Sequence, residues 1–272
     1  EYQKAGDLYL KLHEPAKKNG TFIYFNKYIE CLLALREYDQ AEKEIQAQMK
    51  AQPDDFSMLV TLGNVQERIG NYEAAQASYR MAIEKLPARI DAITRLGNAF
   101  LSQAKYDEAI VTYEKGEKLL DKPGIFSYQL ADLYKRNGDI SKMIEQYLYS
   151  LQSSPDRLEN IQNMLQRSLK AEDYDELLSQ LYVFIQDYPE TDYFPEMLAW
   201  TFMQQKDYSK AMRQAKALDK RMGENGLRVY RLATIAANDK DYTTAIDGFE
   251  YILTSQSPGS PYYLEAKRAS LA

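Results

Sequence analysis

The side chains best suited to nucleophilic or metal chemistry are scarce here: one histidine, His13, and one cysteine, Cys31. A thiolate nucleophile needs a base within hydrogen-bond reach and a third group to orient that base. His13 and Cys31 supply at most the first two. A zinc site needs several ligands at short spacings, which one His and one Cys do not provide. No cofactor, no metal and no catalytic activity are therefore expected. Carboxylates are plentiful, but Asp54-Asp55 and Glu172-Asp173 stand among turn residues, where an acidic side chain caps the next helix. No glycine-rich phosphate loop occurs. Asn19-Gly20-Thr21 fits a glycosylation acceptor, a pattern common by chance. A lone Cys31 excludes an internal disulfide and reads as a buried core thiol.

Composition narrows the remaining classes. Of 272 residues, 45% are hydrophobic and 27% charged, as in a folded globular chain. No run of 18 apolar residues is present to span a bilayer, so no membrane insertion is expected. The net charge of -6 argues against nucleic acid as the main partner, because duplex binding needs a basic footprint. The compartment stays open between cytoplasm and a bacterial periplasm or envelope.

What positions these side chains is a repeat. Tyr38, Tyr72, Tyr106, Ile140, Tyr174, Tyr208 and Tyr242 follow one another every 34 residues. Three residues after each come Ala41, Ala75, Ala109, Met143, Leu177, Ala211 and Ala245. In the unit starting at Phe56, apolar residues recur at helical spacing in two halves, at 58, 59, 62, 65 and 69 and again at 72, 75, 79, 82, 83 and 86. Gly70 can end the first helix in the left-handed conformation, Asn71 can cap the second, and Pro87 stops it. Each unit is a helical hairpin, and a fixed period of this length predicts a stack of such hairpins.

These residues resemble the tetratricopeptide repeat. Leu62-Gly63 and Leu96-Gly97 match its first-helix pair, and Leu130-Ala131, Leu198-Ala199 and Leu232-Ala233 keep a small second residue. The second helices carry the small Ala, then Tyr79, Tyr113, Tyr147 and Phe249 as core aromatics, and Pro53, Pro87, Pro155 and Pro189 near the unit ends. The resemblance implies an all-α fold, a right-handed α-solenoid superhelix of helix-turn-helix repeats. It places a single solenoid over 1–272: a partial repeat at 1–21, seven repeats over 22–259 beginning at 22, 56, 90, 124, 158, 192 and 226, and at 260–272 the first helix of an eighth repeat or a cap. Tyr2 and Ala5 stand 36 residues before Tyr38 and Ala41, which predicts a two-residue insertion around Pro15 to Gly20. The opening residues read as a second helix already under way, so the chain is expected to be a piece of a longer array. Met143, Leu177 and Leu165 break the small-residue rule, which predicts local repacking and a change of curvature near 140–184. Pro195 falls at the expected start of a first helix, where early amides lack intrahelical partners.

In that family the concave surface is lined by first helices and holds extended peptides or partner helices. Carried over unit by unit, the resemblance implies a partner-binding groove of Asn64, Arg68, Arg95, Asn98, Tyr128, Asp132, Lys135, Arg136, Gln166, Tyr193, Trp200 and Tyr230. Asn64 and Asn98 recur 34 residues apart, and an Asn amide can hold a peptide backbone by donating and accepting at once. The family's carboxylate clamp would add a Lys where this chain has Val60 and Thr94, so that clamp is not expected. Arg68, Arg95, Lys135 and Arg136 offer a basic strip for an acidic peptide. Most of the 23 tyrosines read as packing residues. The expected function is thus a non-catalytic module that binds a protein or peptide in its groove. The alternative is an assembly scaffold or bacterial envelope-associated component that works through its convex face or ends, with self-association open.

Overall fold

The structure, a computed structural model, describes residues 1–17 and 23–270. Asn19-Gly20-Thr21 and part of the expected insertion lie outside the described residues. Within the described residues every regular element is a helix, and the helices come in pairs. After α1 (Tyr2–Lys17) the pairs are α2 (Ile23–Leu35) with α3 (Tyr38–Ala51), α4 (Ser57–Ile69) with α5 (Tyr72–Glu84), and α6 (Ile90–Ser102) with α7 (Tyr106–Leu120). Next come α8 (Ser127–Asn137) with α9 (Ile140–Ser153) and α10 (Leu158–Ser168) with α11 (Tyr174–Asp187). The last are α12 (Tyr193–Gln204) with α13 (Tyr208–Met222), α14 (Leu227–Asn238) with α15 (Tyr242–Ser255), and α16 (Tyr263–Ala269). The fold is an all-α helical repeat whose paired helices stack as an α-solenoid. The chain divides into two compact units, one up to Leu133 and one from Tyr134 onward.

The 34-residue period marks one structural event: its residue is the first of every second helix from α3 to α15. Two residues earlier the backbone turns left-handed, at Arg36, Gly70, Ala104, Gly138, Lys206 and Lys240. At each the same two bonds close the first helix, as when Gly70 N–H donates to Glu67 O at 3.0 Å and Asn71 N–H to Gln66 O at 2.8 Å. Asn71, Asp139, Asp207 and Asp241 then cap the second helix through their side chains. The fifth pair departs from this scheme. There Glu172 lies in a 3-10 turn, Ala171–Asp173, and Asp173 Oδ2 accepts from Lys170 N–H at 2.8 Å.

Side-chain volume in each hairpin is shared between two register positions, one on each helix. Gly63 faces Tyr79 and Gly97 faces Tyr113, where the glycines give each ring room and both rings are fully buried. In the fifth pair the same two positions hold Leu165 and Leu181, both fully buried, so loss of the glycine comes with loss of the aromatic ring. Met143 and Leu177 are likewise accommodated without exposure.

Other expectations meet the structure individually. Pro195 is the third residue of α12, inside the first turn where its missing N–H costs nothing. Asp55 caps its turn as expected, Oδ1 accepting from Ser57 Oγ–H at 2.6 Å and from Ser57 N–H at 3.2 Å. Cys31 is buried. Ala266 is buried on α16. The repeating tyrosines divide: Tyr174 and Tyr208 are buried, whereas Tyr72 and Tyr242 are 67% and 61% exposed, so that place in the hairpin does not require burial. None of the described helices is long and apolar enough to cross a membrane.

Candidate partner-binding site

Within the unit ending at Leu133, the first helices α2, α4 and α6 enclose a cavity of about 490 Å³. Its apolar floor is Ile29, Leu33 and Val60, and its polar wall includes Asn64, Arg68 and Gln103. The Asn64 amide N–H donates to Gln103 Oε1 across the two helices. At the mouth Lys27 and Glu30, one turn apart on α2, pair at 2.7 Å. Arg68 is exposed on the last turn of α4. Beyond the cavity, Lys105 pairs with Glu67 at 2.5 Å and lies over the Tyr79 ring at 5.2 Å. Burial, with Glu67 adding to it, pushes the Tyr79 hydroxyl pKa well above its ordinary value.

Of the groove residues in this unit, Asn64 and Arg68 share that cavity. Asn98 and Arg95 do not line it. The Asn98 Oδ1 accepts from the Tyr113 hydroxyl at 3.4 Å, and Arg95 lies beside Asp55 at 3.5 Å and Asp91 at 3.7 Å, over a different depression. The α6 contribution comes instead from Ala99, Ser102 and Gln103. Sequence reasoning missed Gln103 because it follows the last helical residue of α6, where the chain is already turning. Tyr128 and Asp132 are half-buried on α8.

In the unit from Tyr134, Lys135 is half-buried and Arg136 exposed on the last turn of α8, and Gln166 is exposed on α10. Trp200 lines a cavity of about 290 Å³ with Arg231 and Ile235, and its ring stands 6.4 Å from that of Tyr174. Tyr193 packs edge-on against Phe194 at 4.7 Å. Tyr230 is held between Phe249 at 6.0 Å and Tyr262 at 5.5 Å. Arg228, absent from the sequence-based set, bridges Glu196 at 3.2 Å and Glu224 at 2.9 Å. Burial opposes its charge, but the hydrogen bonds to Glu224 and Glu196 outweigh that and raise its pKa. The i,i+4 spacing of Glu224 and Arg228 was a readable signal; the third member lies 32 residues earlier.

No group of three or more His, Cys, Asp or Glu side chains among the described residues could hold a metal ion. His13 is buried on α1 with its ring 5.2 Å from that of Phe25.

A helical-repeat array with an open first-helix cavity defines a class of protein-interaction scaffold. Tetratricopeptide repeat models match residues 32–90 and 90–119, and over those residues the chain carries tetratricopeptide repeats. It is 26% identical over 155 residues to TPR repeat-containing protein MJ1428 of Methanocaldococcus jannaschii, covering 57% of this chain and 27% of that protein. The chain thus spans about a quarter of the length of the curated relative it matches. Among crystal structures it is similar to the C-terminal part of a TPR repeat-containing protein from Cytophaga hutchinsonii, at 18% identity and TM-score 0.33, over 97% of this chain and 94% of that one. It is also similar to a tetratricopeptide repeat protein from Parabacteroides merdae, at 16% identity and TM-score 0.33, over 97% and 99%. Likenesses of this size carry no functional argument.

Proposed function

We propose that this chain binds a segment of a partner protein in the first-helix cavity of its N-terminal unit, without chemistry. The observation that supports this reading is the composition of that cavity, drawn from α2, α4, α6 and the residue that ends α6. Its apolar floor can bury one or two side chains of the partner, which supplies most of the affinity. The Asn64 and Gln103 amides, bonded to each other in the free protein, can exchange that bond for contacts to the partner's main chain. Arg68 adds an exposed guanidinium suited to a carboxylate.

Site-specific photo-crosslinking tests the reading. A photoreactive residue at Thr61, which lines the cavity, is compared with one at Gln76, exposed on α5. Bait carrying each is irradiated in extract of the source organism. A partner peptide joined at Thr61 and absent at Gln76 supports the cavity. Crosslinks at Gln76 alone would move the binding surface to the second helices and sink the proposal.

A further inference from the structure

The second helices α9 and α11 carry a pocket that the first-helix reading leaves unused. A cavity of about 330 Å³ is lined by the rings of Tyr149, Phe184 and Tyr188 and by the carboxyl groups of Glu145 and Asp187. Tyr149 meets Phe184 edge-on at 5.0 Å, and Tyr188 stands 6.0 Å from the same ring. Gln180, on the pocket wall, spends its amide N–H groups on Ser141 O at 3.0 Å and Glu176 Oε1 at 2.7 Å. Its own Oε1 is buried without a hydrogen-bond partner. Among the described residues neither Glu145 nor Asp187 pairs with a Lys or Arg. Lys142, close to Glu145 in sequence, is turned to Asp139 at 3.9 Å and to the Tyr134 ring at 5.1 Å. Burial raises the Tyr149 hydroxyl pKa, and the carboxylates of Glu145 and Asp187 add to it.

Each feature selects for the same occupant. Aromatic faces attract a cation, and two carboxylates lack counter-ions. An apolar guest would strip water from the carboxylates without replacing it, and an anion would be repelled. An ammonium group satisfies the charge as a point. A guanidinium stacks on a ring and directs several N–H donors in its plane at the same time. We propose that this pocket receives an arginine side chain from a partner polypeptide, on a surface built from second helices and independent of the first-helix cavity.

The test uses the whole chain with ring-labelled tyrosine and two probes, acetyl-Gly-Arg-Gly-amide and the same tripeptide with citrulline, which keeps the shape and removes the charge. The arginine probe should shift the Tyr149 and Tyr188 ring resonances saturably, with citrulline weaker by about tenfold or more. The double variant Glu145→Gln, Asp187→Asn alters only exposed or half-exposed groups, and it should weaken the arginine probe by about tenfold while the rings stay in place. No saturable shift, equal response to both probes, or unchanged affinity in the double variant would each overturn the assignment.

Discussion

Gly63 lies against the ring of Tyr79 so closely that a Cβ at position 63 would stand 2.3 Å from Cε1, well inside contact distance. The ring is 1% exposed and has no room to withdraw. Elsewhere in a helix Gly→Ala stabilises by about 1 kcal/mol. Here overpacking reverses the sign, and Gly63→Ala should cost about 2 to 3 kcal/mol by denaturant unfolding. The fifth pair, with Leu165 opposite Leu181, indicates the remedy. Gly63→Ala combined with Tyr79→Leu should be less destabilised than the sum of the two single changes, with a coupling of at least about 1 kcal/mol. Strict additivity would show that the ring does not impose the glycine.

The same preference for Gly over Ala is expected at two left-handed turns one period apart. Gly70 has φ +91° and nothing near its Cα face, whereas Ala104 occupies the equivalent left-handed turn at φ 55°. Gly70→Ala should destabilise by about 1 kcal/mol, and Ala104→Gly should stabilise by about 0.5 to 1 kcal/mol. Thermal unfolding of both variants checks this. A loss of stability in Ala104→Gly would mean that entropy lost from the unfolded chain outweighs relief of the turn.

How much of this could be read from the chain divides by range. Hairpins were legible because Tyr and Ala at fixed places report local packing within 34 residues, and the left-handed turn was marked by Gly70. At Arg36, Ala104, Lys206 and Lys240 the same turn is imposed on residues that do not advertise it, because the helices on both sides fix its geometry. Asn64 and Arg68 were legible as neighbours on one outer face because their helix was certain and its positions could be counted. Gln103 and the Lys105–Glu67 pair were not, since contacts 38 or 39 residues apart depend on how one hairpin seats on the next. The Tyr149 pocket escaped for another reason: its rings and carboxylates come from two second helices, each of which alone reads as ordinary packing and a solvated charged face.

One cross-repeat contact should be visible in the pH dependence of stability. The Tyr208 hydroxyl donates to Asp239 Oδ2 at 2.5 Å, and Lys206 reaches the same oxygen at 2.9 Å. The bond to Asp239, with burial, raises the Tyr208 pKa from 10.0 to about 12. Its contribution is therefore complete below pH 10 and disappears as pH climbs through 12. Asp239 is depressed by its bonds to Tyr208 and Lys206, so its contribution is present above the ordinary carboxylate range and falls away as pH drops through its lowered value. Tyr208→Phe should lower the neutral plateau most and flatten both shoulders of the stability profile, so that the variant converges on wild type at high and low pH. A neutral plateau and shoulders identical to wild type would show that this bond does not persist in solution.

The two asparagines that repeat at 34 residues are expected to behave differently toward a bound partner. Asn64 lines the first-helix cavity and shares its amide with Gln103, whereas Asn98 lies outside it with its oxygen turned to the Tyr113 hydroxyl. Asn64→Ala should weaken a partner captured at Thr61 by about 1 to 2 kcal/mol, because a main-chain contact is lost in a partly dehydrated site. Asn98→Ala should change affinity by less than about 0.5 kcal/mol. Neither is a core position, so the melting temperature should move little in either variant, which separates a binding defect from a folding one. Isothermal titration with the crosslinked partner segment, made as a peptide, reads both constants directly. Equal losses would restore a ladder of asparagines along the first helices, and no loss at Asn64 would leave the apolar floor as the source of affinity.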